Sequence, residues 1–117
     1  MDVLLNNGVR MPLLGLGCWD MYGTEAQQAV ELAIEIGYRL IDTASMYGNE
    51  KEVGKGITQS GISREDVFIT TKVNNVDQGY DNTLRAYYLS CQHLQVDYVD
   101  LYLIHWPLKK ISFRFHW

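Results

Sequence analysis

What this chain lacks narrows its function before any motif is read. It has no excess of positive charge, since ten Lys and Arg stand against 14 Asp and Glu, for a formal net charge of −4. Nucleic acid and anionic membrane both reward net positive charge, so neither is an expected partner. No apolar run approaches the roughly 18 residues needed to cross a bilayer. The N-terminus carries Asp2 and Asn6-Asn7-Gly8 rather than a basic-then-apolar stretch, so no signal peptide is expected and the expected compartment is the cytoplasm. Two cysteines occur, Cys18 and Cys91, far apart and without metal-ligand spacing. Reduced thiols and no metal site are therefore expected. Repeats, low-complexity tracts and linker-like segments are also missing. What remains is a chain of 117 residues, 47% apolar and 21% charged, which suits one soluble domain with a real core.

Three apolar runs each end on an ionisable side chain. Val67-Phe68-Ile69-Thr70-Thr71 runs into Lys72. Arg39-Leu40-Ile41 runs into Asp42, with Tyr47 close behind, and Val99 to Ile104 runs into His105. A strand buried on both faces has no use for an ammonium at its end unless that group has a partner or a task. Three such strands describe the C-terminal rim of an α/β active site. Taken singly, each residue supports a duller reading: Lys72 a solvated rim charge, Tyr47 a surface side chain, Asp42 a turn residue, His105 a packed histidine. Their joint placement reverses those odds.

The rest of the pattern agrees. Val3–Leu5 and Val9–Met11 flank Asn6-Asn7-Gly8 and predict a hairpin stopped by Pro12. Leu13–Gly17 predicts a short buried strand whose glycines let another backbone or a ligand approach closely. Thr24 with Gln27 predicts a capping box for a helix burying Ala26, Ala29, Val30, Ala33 and Gly37. Strand 39–43 follows. Asn49 with Glu52 predicts the cap of a second helix ending near Gly61. After strand 67–73, a helix from Asp81 is predicted to bury Leu84, Tyr88, Cys91 and Leu94. Strand 99–105 closes at Trp106-Pro107. Alternation of this kind implies parallel strands with right-handed crossovers. Gly15-Leu16-Gly17 lacks the third glycine of a dinucleotide fingerprint. His93 and His116 lack companion ligands and are expected at the surface, and Asp97 and Asp100 are expected to solvate or pair at the rim.

These motifs also carry a family resemblance. Gly37 to Ala44 with Tyr47-Gly48-Asn49-Glu50, then Phe68 to Val73, then Val96 to Pro107, resemble three segments of the aldo-keto reductases in the right order and spacing. The diketogluconate-reductase-like branch is the most similar. The resemblance implies an α/β fold, here a partial (β/α)₈ TIM barrel with an N-terminal hairpin and about four parallel βα strands. It also implies NADPH-dependent reduction of small aldehydes and ketones. It assigns catalysis to Asp42, Tyr47, Lys72 and His105, substrate contacts to Trp19, His105 and Trp106, and cofactor contacts to Gly17, Cys18 and Asp42. Elementary chemistry suits those roles, because a phenol keeps its proton at neutral pH and can donate it, while an adjacent ammonium eases its departure. Asp42 would fix Lys72, and His105 would orient the substrate oxygen.

Some features depart from the family. A complete barrel needs eight strands and roughly 250 residues, and four barrel strands are readable here. The resemblance implies that the second half holds most of the cofactor, so this chain is expected to carry the proton-transfer residues and to lack most of the cofactor site. Asn74 stands where relatives often carry Trp. The division expected is 1–107, the N-terminal half of a barrel, and 108–117, a divergent tail. That tail alternates Ile111, Phe113, Phe115 and Trp117 with polar residues and so could form a strand; its divergence suggests a frameshifted or prematurely ended reading frame. Open sheet edges at the first and fourth strands imply possible self-association. The rival to an enzyme is a non-catalytic half-barrel that serves as a remnant or an interaction module.

Overall fold

The structure, a computed structural model, describes residues 1–108; the strand expected over 111–117 lies outside the described residues. Strands β1 (Asp2–Leu4) and β2 (Arg10–Pro12) pair antiparallel. Asn6-Asn7-Gly8 closes this hairpin: the Leu5 N–H donates to Val9 O at 2.8 Å, and Gly8 takes φ +86°, which costs glycine little.

The other four strands form one parallel sheet in the order β3 (Leu16–Gly17), β4 (Leu40–Asp42), β5 (Phe68–Val73) and β6 (Leu101–Ile104). Helices α1 (Gly23–Glu35), α2 (Glu50–Ser60) and α3 (Tyr80–Leu94) make the three crossovers. Spatial order equals chain order, so each βα unit lies beside the last. The core fills the space between sheet and helices with Val30, Ile34, Ile41, Val53, Ile57, Val67, Ile69 and Leu94. Each such side chain contributes ~1.5–3 kcal/mol on leaving water. Two glycines bring the helices together. A Cβ on Gly54 would meet Leu94 O at 2.5 Å, and one on Gly56 would meet Gln27 O at 2.7 Å. Helix α2 thus presses bare backbone against α1 and the end of α3.

The structure corrects several expectations. Thr24 makes no capping bond, because α1 starts at Gly23 with Tyr22 in the cap position and no side chain bonded there. Gly37 lies beyond that helix at φ +113°, as the residue that turns the chain rather than part of the buried stripe. Asn49 does occupy the cap position of α2, but its side chain does not cap. On α3, Cys91 and Leu94 are buried as expected, whereas Leu84 is 44% and Tyr88 68% exposed; Ser90 holds the inward position instead. Of the two roles expected for Asp100, pairing is the one it takes: it pairs with Arg64 at 2.7 Å and accepts the Ile69 N–H at 2.8 Å. On the face of β5 that carries Lys72, Phe68 and Thr70 are buried; exposed apolar surface sits at the β6 edge, on Leu103 and Ile104.

Candidate active site

Alternation along β5 leaves Lys72 as the strand's single half-buried residue among five buried ones. The register Asp42↔Thr70 puts Asp42 on the same face as Lys72, because side chains two apart in a strand share a face. Lys72 therefore reaches sideways to the end of β4. Its ammonium donates to Asp42 Oδ1 at 2.6 Å, to the Thr43 carbonyl at 2.9 Å and to Tyr47 OH at 3.5 Å. An ammonium has three hydrogens, and all three are engaged. The Lys72 side chain is 14% exposed and the Asp42 side chain 42%, so the pair sits at a mouth open on the Asp42 side.

Tyr47 ends a single 3₁₀ turn, Ser45–Tyr47, that follows β4. Its ring meets His105 edge-on, with centroids 5.7 Å apart, and His105 meets Trp106 in the same way at 5.9 Å. His105 follows β6 and is tied back by its N–H to Val73 O at 3.3 Å. Its Nδ1 is buried without a hydrogen-bond partner. Gln78 holds the next turn by donating to Trp106 O at 2.6 Å. The structure thus brings Asp42, Tyr47, Lys72 and His105 together at the C-terminal ends of β4, β5 and β6.

The remaining predicted positions differ among themselves. Trp106 borders the cluster through His105 while staying 61% exposed, and Trp19, 70% exposed, shares no ring contact with it among the described residues. Gly17 is exposed, with open space where a Cβ would stand. Cys18 is wholly buried. Its N–H donates to Asp42 O, its carbonyl accepts from Asn49, and its thiol faces Leu16 O, which leaves no polar group for a ligand. Burial, helped by the nearby Asp42 carboxylate, pushes that thiol up from 9.0 to about 12, so Cys18 is a protonated wall residue.

Two neighbours of Tyr47 escaped the sequence reading. Asn49 is wholly buried; its Oδ1 accepts from Thr43 Oγ1 at 2.7 Å and its Nδ2 donates to Cys18 O and Met21 O. Glu50, 4% exposed, accepts from Thr71 Oγ1 at 2.6 Å and Ser90 Oγ at 3.1 Å. His93, expected without company, places Nδ1 3.6 Å from the same carboxylate. The residue pattern Asn-x-x-Glu reads locally as a cap, and only the folded neighbours reveal another use.

Comparisons with known proteins agree with one another. A model described as "Aldo/keto reductase family" matches residues 13–114 and so runs past Pro107. The chain is 58% identical over 109 residues to the 9,11-endoperoxide prostaglandin H2 reductase of Trypanosoma cruzi (strain CL Brener), covering 92% of this chain and 38% of that protein. It is 56% identical over 108 residues to the glyoxal reductase of Bacillus subtilis (strain 168), covering 92% and 39%. The crystal structure of a Bombyx mori aldo-keto reductase in complex with NADP superposes with a TM-score of 0.87 at 38% identity, over 92% of this chain and 38% of that one. The chain spans about two fifths of the length of these relatives, and its sheet corresponds to part of a (β/α)₈ barrel.

Proposed function

The chain belongs to the aldo/keto reductase family, and from that premise we propose that it serves NADPH-dependent reduction of small aldehydes and ketones to alcohols. One observation carries the proposal: the Lys72 ammonium bridges Asp42, the Thr43 carbonyl and the Tyr47 hydroxyl at one mouth.

Tyr47 is the proton donor. With the Lys72 N–H directed at its oxygen, the phenol keeps its own hydrogen free for a substrate oxygen, and the ammonium stabilises the phenolate left behind. Asp42 and the Thr43 carbonyl hold Lys72 in place. His105 orients the substrate. Its buried, unpartnered Nδ1 is better left as a lone pair than as an orphan N–H, which puts the proton on Nε2 and makes that nitrogen a donor. Trp106, with Trp19 on the β3–α1 loop, supplies apolar walls.

A nicotinamide coenzyme suits this mouth. Asp42 engages Lys72 through Oδ1 and, at 42% side-chain exposure, keeps acceptor capacity facing outward, while Gly17 leaves room beside it. Asp42 and Gly17 would hold the coenzyme, and Cys18 would support that wall from beneath. When bound, the coenzyme supplies a hydride to the carbonyl carbon; Tyr47 supplies the proton to oxygen. Among the described residues no helix is long and apolar enough to cross a membrane. The buried free thiols of Cys18 and Cys91 suit the reducing setting of the proposed cytoplasmic location.

Titrating the purified 117-residue chain with NADPH, by fluorescence, tests the reading. Saturation at micromolar coenzyme would mean that the half-barrel rebuilds a cofactor site by pairing with another copy; the absence of binding at millimolar coenzyme would remove reductase activity from this chain alone. A second reading, an interaction module, is favoured by one feature, the apolar edge of β6. There Ile104 lies with Val73, Tyr80 and Leu84 around an apolar groove.

A further inference from the structure

We infer that Asn49 is a positioning residue that couples the loop carrying Trp19 to the proton-donating site. Its purpose rests on the reductase reading; its geometry does not. Asn49 is wholly buried and uses one acceptor and both amide hydrogens. On one side Nδ2 donates to Cys18 O at 2.6 Å and to Met21 O at 2.9 Å. These carbonyls bracket Trp19 and Asp20, and Asp20 holds φ +61°, a left-handed conformation that aspartate adopts more readily than most non-glycine residues. On the other side Oδ1 accepts from the Thr43 hydroxyl at 2.7 Å, and the Thr43 carbonyl in turn receives the Lys72 ammonium at 2.9 Å. Asn49 also stands two residues after Tyr47, and its own carbonyl receives the Val53 N–H at 3.0 Å, which starts α2.

One side-chain amide therefore joins the Trp19 loop to Thr43, the residue that follows β4 and gives Lys72 its carbonyl partner, while the backbone of the same residue starts the helix that follows the acid. No other side chain of that size has two donors and an acceptor in this arrangement. Aspartate has no donor when ionised, and serine has only one. Without the amide, Thr43 loses its hydroxyl partner and the 18–21 loop keeps its Cys18 N–H bond to Asp42 O but loses its two bonds to Nδ2. Lys72 should then sample positions away from the Thr43 carbonyl.

Competitive acetylation with trace acetic anhydride across a pH series, read residue by residue by mass spectrometry, tests this without needing turnover. Asn49→Ala is expected to raise the Lys72 acetylation rate several-fold and to speed amide exchange over residues 18–23. Lys51 and Lys55, exposed on α2, should not change. Ser90→Ala removes a buried bond to Glu50 from the helix side of the sheet and serves as the structural control. It should lower stability and leave Lys72 as it was. Should Asn49→Ala fail to melt cooperatively, Thr43→Val, which deletes only the bonded hydroxyl, is expected to raise Lys72 acetylation in the same way. An unchanged Lys72 rate in whichever variant folds overturns the inference, as does an equal rise in Ser90→Ala. Loss of NADPH binding would sink the reductase reading and leave this result standing.

Discussion

Lys72 was legible in the sequence because a charge at the end of a buried strand is costly without a partner, and the fold supplies three. Asp42 and His105 were legible for the same reason, and Tyr47 through its motif. Asn49 and Glu50 were not, because all their side-chain partners but Thr43 and His93 lie 21 to 40 residues away and only the fold brings them near. Cys18 illustrates how burial overrides motif position, and it yields a prediction with a definite sign. In the folded state its thiol is raised from 9.0 to about 12. Below the lower value both states hold the proton, so its contribution does not vary with pH. Between those values the unfolded chain releases its proton first, the folded chain binds more protons, and stability falls as pH rises. Tyr102, raised to about 12 mainly by burial, adds to the same slope from its ordinary value of 10.0 upward. Melting temperature should therefore drop from about pH 9 to about pH 11, and less steeply in Cys18→Ala. Equal slopes in the two proteins would contradict the burial account.

Among the elements, strands and helix count followed from alternation and periodicity, while helix starts did not. The Thr24 capping box failed because α1 begins two residues earlier, with Tyr22 as its cap, and a Thr-x-x-Gln spacing says nothing of where the chain enters the helix. The α3 stripe failed at Leu84 and Tyr88, which stay exposed because little of the described chain covers them. Helix α2 gives the sharpest test. By propensity alone, Ala in place of Gly54 would stabilise the helix by ~1 kcal/mol. The added methyl would, however, strike the Leu94 carbonyl at 2.5 Å, backbone that cannot swing aside. Overpacking of this kind costs ~1–3 kcal/mol and wins. Gly54→Ala should lower the urea midpoint, with the slope unchanged; a raised midpoint would show that α2 and α3 have room to separate.

For the whole molecule, the family and the half-barrel order of strands were readable from three motifs, and the comparisons bear out both. The assembly state was not readable, since it depends on surfaces rather than spacing. Among the described residues the sheet ends at β3 and β6, and Leu103 and Ile104 on β6 are 38% and 62% exposed. Unpaired strands beside apolar surface favour association. The isolated chain is predicted to elute above its 13.5 kDa mass, as a dimer or larger species. A monodisperse, cooperatively melting monomer would contradict that prediction.

The central claim is that Tyr47, set against Lys72, delivers the proton in carbonyl reduction. Its most direct test is the initial rate of NADPH oxidation by the purified chain with a small aldehyde in excess, measured beside Tyr47→Phe. The account predicts oxidation that requires the aldehyde and falls by roughly 100-fold or more in the variant. An undiminished rate in Tyr47→Phe, or no aldehyde-dependent oxidation by the unaltered chain, would contradict it.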